Sequence, residues 1–240
     1  SVVPGSMDRL IVLSVSHENK LYTAILDSFF YKEVNGNRVK GVLQEVMDMS
    51  KDVLDDLVNQ LIENNSALKA SKDKLPIQYF YYLGRTEIEC LEWIFSKIHE
   101  NKTTFMGVWN IDYDVPAING LMKKNNRDLT DFYCPPDLPD KFRYANYQED
   151  YSKTDHPADK WHWMHATGYT QFYDAMCLYS KIRTVSGKES SYRLNDILKK
   201  NRIHGKLKFP DLVGAPDGEG IDWHRYMQVH EFYRYIIYNQ

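Results

Sequence analysis

Apolar residues recur along this chain at two periods, and the alternation between them sets the predicted elements. Residues 9–15 and 21–26 read as strands, and His17-Glu18-Asn19-Lys20 supplies the polar turn of a hairpin. Val34-Asn35-Gly36-Asn37-Arg38 reads as a second turn. Residues 50–65 carry Val53, Leu54, Leu57, Leu61 and Ile62 at helical spacing above a polar, mostly acidic outer face, and residues 66–74 form a polar linker. The run I-Q-Y-F-Y-Y-L at 77–83 predicts a strand whose aromatic side chains fill core. Thr86 and Glu89 have the spacing of a capping box, and Ile88, Leu91, Ile94, Phe95 and Ile98 then mark one buried helical stripe. That helix delivers the chain to residues 103–109, β-branched and aromatic enough for a buried strand, after which residues 115–124 return to the i, i+3, i+4 spacing of a helix. Strands alternating with helices predict a mixed α/β sheet.

Residues 128–170 have a different character. Pro135, Pro136 and Pro139 interrupt regular structure, and the stretch reads as an irregular excursion ending in a hairpin with residues 161–170. Trp161 and Trp163 alternate with His162, which predicts tryptophans toward the core and histidines toward water. A helix is expected from Tyr173 through Asp174, Leu178 and Tyr179, and another after Ser190 or Ser191 with Leu194, Ile197 and Leu198 inward. Residues 214–220 read as a loop. Residues 223–238 read as a last helix with an apolar face of Tyr226, Val229, Phe232, Tyr233, Ile236 and Ile237. Residues 1–6, with Pro4 and Gly5, read as a leader or cut end.

Composition limits what the chain can bind. Thirty basic residues against thirty-three acidic ones leave a net charge of −3, so no global basic field is available to grip nucleic acid and any such contact is local. Lys199, Lys200, Arg202, Lys206 and Lys208 form the one basic cluster; it reads either as a solvated helix end or as a set of phosphate contacts. Cys90, Cys134 and Cys177 lie far apart with no CxxC pair, which fits a reducing compartment and argues against a zinc ribbon. His156, His162 and His165 lack a cysteine or carboxylate in register for zinc. No apolar run reaches transmembrane length and no signal peptide is evident, so no membrane partner is expected and the cytoplasm is the default.

The candidate chemistry centres on Asp114, in the turn after the strand at 103–109. It stands where a helix N-cap belongs, with Pro116 near the first turn, so its carboxylate is expected at the C-terminal end of a strand, where open α/β sheets bind ligands. A helix cap alone accounts for an Asp-x-Pro of this kind. The wider run W-N-I-D-Y-D-V-P, however, resembles the second exonuclease motif of family B DNA polymerases: Asn, a short spacer, an aromatic, then Asp. Tyr173-Asp174 with Leu178-Tyr179, then Ser191-Tyr192-Arg193-Leu194-Asn195-Asp196-Ile197, then Gly205-Lys206-Leu207-Lys208-Phe209, resemble in order the segment between the second and third exonuclease motifs of the bacteriophage members. Arg234-Tyr235-Ile236-Ile237-Tyr238-Asn239 is similar to the run that opens the third motif, Tyr-x-x-x-Asp. The hairpin at 9–30 and the strand-to-helix passage at 82–98 also resemble that domain, so the likeness spans nearly the whole chain.

The resemblance implies a partial 3′-5′ exonuclease, or proofreading, domain over residues 1–240: an α/β, RNase H-like mixed sheet flanked by helices. Such domains hydrolyse the 3′-terminal phosphodiester with two magnesium or manganese ions about 4 Å apart, held by an Asp-x-Glu of the first motif and by the Asp of the second and of the third. By this likeness Asp114 is the second-motif metal ligand, Asn110 lies near the DNA end, Tyr238 is the third-motif tyrosine that positions water, and Lys206 and Lys208 are DNA contacts. The implied partners are the 3′ end of single-stranded DNA, primer–template DNA, and the polymerase domain of the same parent chain. The sequence departs from the pattern at both ends. The third-motif Asp would fall just beyond Gln240, and no Asp-x-Glu precedes the first hairpin. Either the first strand is missing, the preferred reading, or residues 10–16 are that strand with Ser14 and Ser16 in place of the carboxylates. Asp112 is the second choice for the motif's ligand, and the literal Asp-x-Glu at Asp217-Gly218-Glu219 reads as a solvated turn. One carboxylate of four is too few to hold two magnesium ions against their hydration, so the isolated chain is expected to be inactive.

Overall fold

A computed structural model describes residues 9–63, 77–151, 156–183, 185, 187–203, 205–209, 211, 212, 214–216 and 220–240. The expected leader at 1–6, the linker at 66–74 and Asp217-Gly218-Glu219 lie outside the described residues, and the loop at 214–220 is described only in part. The protein is a mixed α/β chain that divides into two compact units, Ser1–Ile94 with Arg202–Gln240, and Phe95–Asn201. No helix among the described residues is long and apolar enough to cross a membrane.

In the first unit, β1 (Val12–His17) and β2 (Lys20–Leu26) form the expected hairpin, tightened at Glu18, whose φ is +52°, and β5 (Gln78–Gly84) joins β2 in parallel. β3 (Tyr31–Val34) and β4 (Asn37–Lys40) make a separate hairpin. Its two loop residues, Asn35 and Gly36, both have positive φ, as a turn matched to the strand twist requires. The helix α1 (Leu43–Glu63) begins seven residues before the expected start at Ser50. Ser50 is not a cap; it is buried in mid-helix, where Tyr81 donates a 2.6 Å hydrogen bond to its Oγ. The aromatics of β5 are less buried than expected, and Phe80 is 39% exposed. The helix α2 (Glu87–Asn101) starts as predicted: Glu89 N–H donates to Thr86 Oγ1 at 3.3 Å, and the Glu89 carboxylate reaches back to the N–H of Arg85 at 2.7 Å. The core of this unit joins the hairpin to the C-terminal segment through Ile11, Ile25, Phe30, Phe232, Tyr235 and Ile236.

In the second unit, β6 (Phe105–Val108) leads into α3 (Ile111–Lys124), followed by the short α4 (Thr130–Tyr133). The excursion is more regular than expected, because β7 (Ala145–Gln148) and β8 (Trp163–Ala166) pair antiparallel within it. A strand not expected from the sequence, β9 (Gln171–Asp174), completes a four-stranded sheet in the order β6-β9-β8-β7, with β6 parallel to β9. The helix α5 (Ala175–Arg183) therefore begins after Asp174 and not at Tyr173. The helix α6 (Leu194–Lys200) buries Ile197 as expected. Phe95 packs against Phe132, Tyr133 and Phe172 at ring separations of 5.0–6.3 Å, which fixes the C-terminal half of α2 on the inner face of the sheet.

The last expected helix is two, α7 (Ile221–His230) and α8 (Phe232–Tyr238), parted at Glu231 with φ −131° and ψ 42°. The break turns Val229 out to 57% exposure while Phe232, Tyr233, Ile236 and Ile237 stay buried.

Candidate functional site

Two parallel strands end side by side in the second unit. Val108 of β6 pairs with Asp174 of β9, and each strand runs directly into the N-terminus of a helix. The carboxyl ends of adjacent parallel strands, with helix N-termini behind them, are where open α/β sheets gather ligand-binding groups. Asn110 is the N-cap of α3, and its carbonyl accepts the N–H groups of Tyr113 and Asp114 at 3.1 and 3.2 Å. Asp114 is therefore not the cap that its sequence position suggested. It lies with Asp112 in the first turn of α3, where a carboxylate meets the positive end of the helix dipole. Pro116 falls well inside the helix, where it has no N–H to give to the carbonyl of Asp112.

Asp174 is 1% exposed, and its Oδ1 accepts the N–H of Cys177 at 2.9 Å, so it caps α5. Burial pushes its carboxyl above the ordinary carboxylate value, the Cys177 N–H bond opposes that rise, and the nearby charge of Asp112 adds to it. Asp114, half-buried, is raised by burial and again by Asp112. Asp112 is thus the acid whose field reaches both of the others. The Cys177 thiol is pushed up to about 12 by burial and by the charge of Asp174.

Across from Asp112 stands His162, 7% exposed. Its Nδ1 accepts the N–H of Asp150 at 3.4 Å, and its Nε2, 3.8 Å from Asp112 Oδ2, has no hydrogen-bond partner among the described residues. Tyr147 stacks on the His162 ring at 6.2 Å with 9° between the planes, and its buried hydroxyl is likewise unpartnered among the described residues. Burial first, and then Asp112, hold the Tyr147 phenol well above its ordinary value. The expected orientation of the tryptophan–histidine run is therefore reversed: His162 faces inward and Trp163, 39% exposed, faces out.

The site residues expected from sequence fall into two groups. Asp114 and Asn110 belong to the site in the second unit. Tyr238 and Lys206 meet in the first unit, where Lys206 Nζ donates to Tyr238 Oη at 3.0 Å and sits 5.1 Å from its ring centroid. Tyr238 also packs on Trp223, 4.8 Å away. Lys208 is exposed. From sequence, Asp174 falls in a helix and His162 faces water; residues 168–170 followed by Gln171-Phe172-Tyr173-Asp174 are the turn-then-strand signal that locates the first of them.

Among the described residues, no three or more histidine, cysteine, aspartate or glutamate side chains are grouped so as to hold a metal ion. The carboxylates present do not fit the several oxygen ligands that magnesium requires. The arrangement instead leaves the His162 Nε2 and the Tyr147 hydroxyl without hydrogen-bond partners among the described residues, with Asp112 Oδ2 3.8 Å from the imidazole. No protein-family model matches the chain, and a search of curated proteins finds no match.

Proposed function

We propose that the chain is the 3′-5′ exonuclease, or proofreading, region of a family B DNA polymerase of bacteriophage type, built on an RNase H-like sheet. Its partners on this reading are the 3′ end of single-stranded DNA, primer–template DNA and the polymerase domain of the parent chain, in the cytoplasm of the cell that holds it. The observation that carries the reading is the pairing of Val108 with Asp174. It supports a site in which the motif carboxylate Asp114, in the first turn of the helix after one parallel strand, and a second acid at the end of the next strand both feel the charge of Asp112. In the complete domain magnesium or manganese would supply the electrophile and activate water. The described residues do not group to hold such an ion. Their part is to present acceptors at the strand ends and, through Lys206 and Lys208, a local basic contact.

A non-catalytic RNase H-like module that binds nucleic acid or scaffolds a polymerase is the second reading, favoured by the missing donor set among the described residues. A nuclease assay of the 240-residue chain on end-labelled single-stranded DNA, with magnesium or manganese, tests the expectation of negligible turnover. Robust turnover abolished by Asp114→Ala would show that the donor set is complete in this chain. In a longer parent chain that cleaves DNA, Asp114→Ala is expected to abolish cleavage; unchanged cleavage overturns the exonuclease assignment.

A further inference from the structure

The four-stranded sheet of the second unit has two unlike faces. Met164 and Phe172, 2% and 8% exposed, point inward with Asp174. The opposite face carries its side chains in two cross-strand rows. The pairs Phe105↔Gln171 and Asn146↔His165 lie in one row, and Gly107↔Tyr173 and Gln148↔Trp163 in the other. The bridge Met164↔Phe172 joins the halves, setting His165 beside Gln171 and Trp163 beside Tyr173. Phe105 is 65% exposed and Trp163 39% exposed. Trp161, just before β8, and Trp163 and His165 on it follow one another with ring separations of 5.2 and 5.7 Å, the last two nearly parallel at 14°. Phe105 and Tyr173 meet edge to face at 6.2 Å. Gly107 lets the Tyr173 ring lie across its strand, because a Cβ there would stand 2.9 Å from the Tyr173 hydroxyl.

None of the eight outward positions is Asp, Glu, Lys or Arg. The remaining outward groups are the amides of Gln171, Asn146 and Gln148, which can pair with the polar edges of a base. At the end of the sheet where β6 begins, Lys102 lies 5.1 Å from the ring of Tyr169, which is itself half exposed. The acids Asp112 and Asp174 lie at the other end.

We propose that this outer face is a stacking platform for the unpaired bases of single-stranded nucleic acid, with exposed Phe105 and Trp163 as its principal rings and Lys102 at the phosphate rim. Exposed aromatic rings on a sheet bind any base through its π-face. An acid-free face does not repel the polyanion that carries the bases, and the cation stands at the edge, where a backbone would pass. The choice of occupant rests on the nucleic-acid reading proposed above; the platform itself requires no turnover and lies on the face opposite the buried carboxylate.

The test is fluorescence anisotropy of the full chain, in EDTA so that no cleavage occurs. The probes are labelled oligothymidylate of about a dozen nucleotides, enough to span one such site, an abasic strand of equal length, and a duplex. Oligothymidylate is expected to bind more tightly than the other two, with a shallow salt dependence because most of the contact is uncharged. Phe105→Ser and Trp163→Ala are each expected to weaken binding about tenfold, and Trp163→Phe to restore most of it. Phe105 is too exposed to hold the fold, so Phe105→Ser remains informative if Trp163→Ala does not fold. Equal affinity for the abasic strand, or variants that bind as the parent does, overturns the platform and leaves the nucleic-acid reading standing. No binding to any strand overturns both. Variants that change only the mass in light scattering identify the face as a contact between copies of this chain, and this too overturns the platform.

Discussion

Asp174→Asn separates the two things that Asp174 does. The side chain caps α5 by accepting the Cys177 N–H at 2.9 Å, and it holds a carboxyl at 1% exposure near the charge of Asp112. Asparagine keeps the acceptor and removes the charge, and the two residues are about equal as N-caps; alanine removes both, at a cost of about 0.5–2 kcal/mol for the lost cap. The sign of the pH dependence follows from the raised folded-state value. Between the ordinary carboxylate value of about 3.9 and the raised one, the folded chain binds more proton than the unfolded chain. Stability therefore falls as pH rises through that window, by about 1.4 kcal/mol for each unit of rise. Above the window the wild type carries the full penalty and Asp174→Asn does not. Urea unfolding followed by tryptophan fluorescence is a suitable assay, since Trp109, Trp161 and Trp163 lie in this unit. At pH 7 Asp174→Asn is expected to be at least as stable as wild type, with the advantage shrinking as the pH is lowered and the wild-type carboxyl protonates. Asp174→Ala should lie about 0.5–2 kcal/mol below Asp174→Asn throughout. If asparagine proves as damaging as alanine at pH 7, the negative charge is itself required, and the reading of Asp174 as a cap burdened by its charge is wrong.

Three smaller perturbations test other parts of the fold. Thr86→Ala removes the acceptor for the Glu89 N–H and should cost about 1 kcal/mol in urea unfolding; no change would mean that the Glu89 side chain caps α2 alone. Gly84→Ala places a Cβ 2.5 Å from Cys90 Sγ and 3.1 Å from the Thr86 carbonyl, so a loss of about 1–3 kcal/mol is expected, and a neutral result would show that the strand-to-helix turn can relax. Burial pushes the Cys90 thiol up to about 12, and burial together with Asp174 does the same to Cys177, so neither should react with iodoacetamide in the native chain at mildly alkaline pH, whereas both should after unfolding in guanidinium. Native-state labelling at the unfolded rate would contradict the burial of both.

The parts of the fold that were legible in the sequence are those in which local chemistry and tertiary demand agree. Asn35-Gly36 is a hairpin turn because only such residues accept positive φ cheaply, and Thr86 with Glu89 caps a helix whose apolar stripe repeats without interruption. The misread boundaries are places where a polar residue has a distant partner. Ser50 looked like a helix start, yet Tyr81, thirty-one residues away, satisfies its hydroxyl in mid-helix. The apolar face at 223–238 reads as one helix because its period survives the break at Glu231; the outward Val229 betrays the change of axis. Asp114 was legible as a carboxylate near a strand end, but not as a first-turn residue, because Asn110 and Asp114 both have cap-forming side chains and the backbone chose Asn110.

The least legible feature is the parity of β8, and it decides both the inner site and the outer face. In Trp161-His162-Trp163-Met164-His165, side-chain hydrophobicity favours the odd positions inward, since they hold both tryptophans. A strand cannot satisfy single residues, because a shift by one flips every side chain at once. The parity is fixed instead by what the neighbouring strands require: Met164 bridges to Phe172 on β9 and pairs with Tyr147 on β7, and Phe172 packs against Phe95 and Tyr133 beneath the sheet. Those long-range contacts put Met164 inside, and His162 follows it by periodicity into the neighbourhood of Asp112. The same step sends Trp163 outward onto a face with no charge. A buried histidine without a full set of partners and an exposed tryptophan are thus not two local irregularities but one consequence of register. A variant that moved either without the other would have to break the β8–β9 pairing.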